Sequence, residues 1–149
     1  MRFELAEWAL RRGFDEAYRV TREPSSHGGH TGWRSMVWHH DRQWFATYHV
    51  LPYGTPPPPV TNGWRYRRGR AEDLVAKLDA ASFWKEEEWP ERSGLDGFHF
   101  VFEGARGEVA RRRQIWCPDR LFQPDICAAA EAFRSVRWSG LFRRRIAFG

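Results

Sequence analysis

The stretch from residue 94 to residue 118 constrains the fold most. Gly94-Leu95-Asp96-Gly97-Phe98-His99-Phe100-Val101-Phe102-Glu103 runs into a connection containing Gly104 and Gly107, then Glu108-Val109 leads on through Trp116-Cys117-Pro118. Two β-type runs about a tight polar link read as an antiparallel hairpin. Phe98, Phe100 and Phe102 share one face and His99, Val101 and Glu103 the other. On the return strand Arg111 and Arg113 alternate with Arg112 and Gln114, so one face must reach water. Asp96, just before Gly97, suits a turn in which its carboxylate bonds nearby backbone amides.

A second hairpin is predicted upstream. Trp33 to His40 and Gln43 to Leu51 are rich in Trp, Val, Tyr, Phe and Thr, and only Asp41-Arg42 separates them. Phe14 to Glu23 alternates in the same way and is closed by Pro24. Residues 3 to 12 carry Phe3, Leu5, Ala6, Trp8, Ala9 and Leu10 before Gly13, which predicts a short N-terminal helix. Leu74, Val75, Leu78 and Ala81 put a helix at 71–84, with Glu72 and Asp73 at its positive end and Phe83-Trp84 closing it on the sheet. Pro124 opens a last helix at 125–136, with Ile126, Ala129, Ala130, Phe133 and Val136 on one stripe.

Pro56 to Pro59 cannot continue a central strand, because proline lacks the amide donor, so an exposed extended loop is expected there. Lys85 to Ser93 reads as an acidic solvated connection. The tail Leu141 to Phe148 reads as one more element packed on the core. The expected architecture is therefore a single α+β domain over residues 1–149: an antiparallel sheet of two hairpins plus an N-terminal strand, with two main helices packed on one face. At 149 residues such a domain buries a core without disulfides or a structural metal.

Several function classes are set aside on the same residues. No Ser or Cys sits in a nucleophile elbow and no Gly loop is built for phosphate, so a non-enzyme without cofactor is expected. His27 and His30 share a polar loop, with His39, His40 and His49 nearby, but no ligand spacing of a zinc site accompanies them, and no metal is expected. Cys117 and Cys127 read as thiols, not a disulfide framework. The first residues lack the apolar core of a signal peptide and no run is long enough to span a bilayer, which points to the cytoplasm.

Charge and aromatic content point instead to binding. The formal charge is +5, and of 24 basic residues only Lys77 and Lys85 are lysine, so 22 are arginine. There are 9 Trp, and Arg and Trp are the residues that dominate protein interfaces. Trp33, Trp38, His40, Trp64, Arg65, Tyr66, Arg67 and Arg68 are the candidate partner-binding residues. The expected function is a protein-binding module, such as an immunity or inhibitor protein that neutralises a partner. The alternative is nucleic-acid binding, since Gly63 to Arg70 interleaves aromatics with arginine as a single-strand platform does, and Arg143 to Arg145 add charge.

The runs Leu78-Asp79-Ala80-Ala81-Ser82-Phe83-Trp84, Gly94-Leu95-Asp96-Gly97, Phe100-Val101-Phe102-Glu103-Gly104 and Arg113-Gln114-Ile115-Trp116-Cys117-Pro118 resemble a widespread group of small uncharacterised bacterial proteins. In that group a helix ending Phe-Trp precedes an acidic loop, a Leu-Asp-Gly turn, a strand ending Leu-Glu and a return strand ending Arg-Trp-Ser-Pro. The likeness covers residues 70 to 136, with weaker echoes from Tyr18 to Gly28. Ile115-Trp116-Cys117-Pro118 departs from the group's Arg-Trp-Ser-Pro, as Phe98-His99-Phe100 departs from its commoner small-residue and Trp pattern. The resemblance implies an α+β fold and brings no activity with it.

Overall fold

Glu4 and Glu7 stand in the first turn of helix α1 (Glu4–Arg12) and Arg11 and Arg12 in its last, each sign at the end of the helix dipole that favours it. Gly13, at φ 67°, ends the helix in a left-handed turn closed by Gly13 N–H to Leu10 O (3.2 Å) and Phe14 N–H to Ala9 O (3.0 Å). The computed structural model in which these features are seen describes residues 4–24, 31–86, 88–89, 98–116, 120–141 and 143–147. The histidine loop with His27 and His30, the Gly94–Gly97 turn and Cys117-Pro118 lie outside the described residues.

Strands β1 (Glu16–Arg22), β2 (Gly32–His40), β3 (Gln43–Leu51) and β4 (Asn62–Tyr66) follow, then helix α2 (Arg68–Ala80). Strands β5 (His99–Arg106) and β6 (Val109–Trp116), helix α3 (Pro124–Ser139) and the short strand β7 (Ile146–Ala147) complete the chain. All pair antiparallel in the order β6-β5-β1-β2-β3-β4-β7. The fold is α+β, as expected, but among the described residues the sheet has seven strands. It grows beyond two hairpins and one strand because Asn62–Tyr66 continues it past β3, and the tail adds Ile146 and Ala147 opposite Gly63 and Asn62. That tail pairs at the sheet edge and stays exposed.

The β2–β3 turn shows how local sequence meets sheet twist. Asp41 and Arg42 both take positive φ (49° and 65°), the geometry of a two-residue type I′ turn, and His40 pairs with Gln43 across it. The Arg68 guanidinium donates to the Arg42 carbonyl at 3.3 Å and ties this turn to the start of α2.

One sheet face carries the main core. Tyr18, Val20, Val37, Ala46, Trp64, Phe102 and Ile115 pack with Leu74 and Leu78 of α2 and with Ile126, Ala129, Phe133 and Val136 of α3. α2 ends earlier than its apolar pattern predicts. Ser82 adopts φ 60° and its amide bonds Asp79 O, while Phe83 N–H reaches back to Leu78 O, so the chain reverses and Phe83 drops fully into the core. Trp89, expected in a solvated connection, is buried too, its indole N–H donating to Ala81 O at 3.0 Å. Gly104 gives this layer room, since a Cβ there would stand 2.7 Å from the Phe83 ring.

The other face is not left open, as helices on one side only would have it. Leu5 and Ala9 of α1 pack on Ala17, Met36, Trp38 and Ala105. Beside that apolar patch lies an ion pair. Glu103 accepts from Arg19 Nε at 2.6 Å and Nη2 at 2.9 Å, with the two side chains only 8% and 7% exposed. Glu103 is thus committed to a structural bidentate pair.

His49 lies on the same face, with Nδ1 buried and no hydrogen-bond partner for it among the described residues. Burial, and then the positive charges of Arg34 and Arg145, hold its imidazole below the usual histidine range. The folded state therefore resists protonation, so this contribution is whole above the unfolded pKa near 6.5 and is lost as pH falls through the lower folded value. The unfolding midpoint should fall on acidification below pH 6.5, and His49→Gln should flatten that part of a thermal melt series from pH 8 to 5. An unchanged profile in the variant contradicts it.

Candidate functional site

The eight residues expected to bind a partner are dispersed. Trp33 stacks on Tyr48 and meets Phe100 edge-on within the main core, and is buried. Trp38 is buried on the opposite face between Trp8, Phe14 and Phe45. Trp64 and Tyr66 point under the helices, because alternation along β4 turns both toward α3 and α2. His40 is exposed at the β2–β3 turn, against the Phe14 ring. The Trp members are core residues for a simple reason: each offers more apolar area than any other side chain, and a sheet with helices on both faces can cover it.

Arg65, Tyr66 and Arg67 do converge. With Arg70, Trp138, Ser139 and Arg143 they line a notch of about 250 Å³ between the start of α2 and the end of α3. Four guanidinium groups surround it, and the described residues that line it include no carboxylate. Arg68, next in sequence, is turned away to the Arg42 carbonyl and lines a different cavity with Glu72 and Asp79.

The helix boundary makes this charge distinctive. α2 begins at Arg68, not at residue 71, so its first turn holds Arg68 and Arg70 and no acid, while Glu72 and Asp73 fall beyond the first turn. Arg67 takes the N-cap position with an extended backbone and no side-chain cap. Arginines at the positive end of a helix dipole cost stability, and free amides there attract anions. The dipole of α2 does not favour this placement.

Trp64 builds the notch from below. Its indole N–H donates to Ser139 Oγ at 2.9 Å, and Ser139 in turn donates to Val136 O at 2.7 Å. Gly140 rests on the same ring, where a Cβ would stand 2.7 Å from it. The end of α3 is thereby fixed to β4, which sets Trp138 and the start of the tail beside Arg70. Trp138 is 58% exposed, with the Arg137 guanidinium 4.3 Å over its ring, and Leu141, three residues on in the chain, is exposed as well. Burial holds the Tyr66 phenol above its usual range, so it stays a neutral wall of the site.

Sequence reasoning, which reached Arg70 as the end of the Gly63–Arg70 run, missed Trp138 as a member of this site. Trp138 carried a signal, since it lies off the buried stripe of α3 while being its largest side chain. Among the described residues no group of three or more His, Cys, Asp or Glu converges as a metal set. No described helix is long and apolar enough to cross a membrane. No family model, curated protein or solved structure matches the chain.

Proposed function

We propose that the protein is a non-enzymatic protein-binding module whose arginine notch docks an acidic segment of a partner protein, as an immunity or inhibitor protein does when it neutralises its target. The observation that carries this reading is the set of four arginines without a lining carboxylate, with exposed Trp138 on the same wall. An aromatic anchor beside planar bidentate donors is the composition of an interface hot spot. Arginine in place of lysine fits this use, because its fork matches a carboxylate in two hydrogen bonds.

Nucleic-acid binding is the second reading, supported by the exposed run Arg143 to Arg145 alongside the notch. It is the weaker one, because Trp64 and Tyr66, the rings that would stack bases, are both buried. Salt-titrated binding to single-stranded DNA and RNA separates the two. The protein-binding reading predicts no saturable complex at ~50 mM salt. A tight complex whose affinity falls steeply with salt, and which Arg70→Glu with Arg143→Glu abolishes, would instead establish the second reading.

A further inference from the structure

A second cavity, of about 560 Å³, lies on the opposite sheet face, between α1 and the chain at Pro57–Thr61. Arg19, Arg34 and Met36 form its floor, Glu4, Glu7, Trp8, Arg11 and Arg12 of α1 stand on one wall, and Pro57 to Thr61 make the other. The sheet register explains the floor. Arg19, Met36 and Thr47 form one cross-strand row and Thr21, Arg34 and His49 the next, all turned to the same side.

The charges of this floor do not balance. Glu103 is taken up bidentately by Arg19, leaving the neighbouring half-buried Arg34 with the Thr21 hydroxyl, 3.4 Å away, as its hydrogen-bond partner among the described residues. Two other carboxylates line the cavity: Glu4, largely exposed and 3.9 Å from Arg19, and Glu7, which pairs with Arg11. Thr47 Oγ1 and His49 Nδ1, on β3 opposite Met36 and Arg34, are buried and lack partners among the described residues. Burial and the adjacent Arg19 charge both weaken the hold of Arg34 on its proton. A guanidinium so placed gains from an incoming anion.

We propose that this groove binds a small organic anion, its carboxylate or phosphate group on Arg34 and its apolar body between Trp8 and the Pro57–Val60 wall. The cavity volume lies within the range of small-molecule sites, and its lining sets an apolar wall, Pro57 to Val60 with Trp8 and Met36, against a charged one in which the arginines outnumber the glutamates. The site is separate from the arginine notch and does not depend on it.

The test is an NMR titration of the full chain with benzoate and with phenyl phosphate as probes, and with benzyl alcohol as the neutral control. Saturable shifts at the Trp8 indole N–H and the Arg34 Nε–H are expected with at least one anion and not with the alcohol. Arg34→Gln, which keeps most of the stem, should weaken binding by about tenfold or more, the effect of a lost charge-assisted hydrogen bond. Arg70→Glu with Arg143→Glu should leave it unchanged. Binding of neither anion, equal binding of the alcohol, or full affinity in Arg34→Gln overturns the proposal. If Arg34→Gln does not fold, the wild-type shift map decides: shifts confined to Arg70 and Arg143 overturn it, and shifts at Trp8 and Arg34 sustain it.

Discussion

Glu103→Ala is expected to lose about 3–5 kcal/mol of stability, enough to remove a large part of what holds a domain of this size. The reason is what the substitution leaves behind. Arg19, 7% exposed, would keep its charge without the carboxylate that accepts from Nε and Nη2, and would face Arg34 with only the largely exposed Glu4, 3.9 Å away, to offset the repulsion. Glu103→Gln should fare little better, since it keeps the shape but not the charge. The paired replacement Arg19→Met with Glu103→Leu should recover most of the loss, because the desolvation cost of both ions vanishes with their attraction. Urea unfolding of the four proteins, compared at constant slope, measures each step. Single variants that lose less than about 1 kcal/mol would mean that water reaches the pair and screens it.

Trp38→Ala is the second large effect, also about 3–5 kcal/mol, through the loss of buried area and the cavity left between α1 and the sheet. Trp38 is 1% exposed, stacked on Phe45 at 5.9 Å and met edge-on by Trp8 at 5.7 Å. A tryptophan serving a partner directly would lower affinity with the fold intact. The structure predicts the reverse order: a thermal midpoint drop of about 6–20 °C first, at about 2–4 °C per kcal/mol for a domain of this length. A variant as stable as the parent but unable to bind would contradict the packing described above.

These residues also show what local sequence conveys. The Asp41-Arg42 turn was legible because two alternating runs leave room for only two residues between them. The identity of the buried faces was not, since it depends on what covers them. α1 was predicted, but nothing in residues 4–12 says that it lies over Ala17 and Trp38 instead of joining the helices opposite. Trp38 therefore looked like a surface residue on an open face. Helix α2 starts three residues before its sequence pattern predicts, because Gly69 and the arginines around it resemble a loop, and Glu72-Asp73 resemble a first turn. That shift hid the very feature that sets the notch apart, arginine at the positive end of a helix. The notch itself combines β4, the start of α2, the end of α3 and the tail, so no window of sequence contains it. The groove floor is similarly spread, with Arg19 and Arg34 meeting only through the β1–β2 register.

The claim that the arginine notch docks a protein is tested most directly by affinity capture from the source cells, with wild type compared against Arg70→Glu with Arg143→Glu and against Arg34→Gln. The notch reading predicts one partner protein, held stoichiometrically by the wild type and by Arg34→Gln, released by salt, lost from the notch variant, and inhibited in its own activity when bound. The same proteins retained by all three baits, or a nucleic acid as the polymer that the notch variant loses, would contradict it.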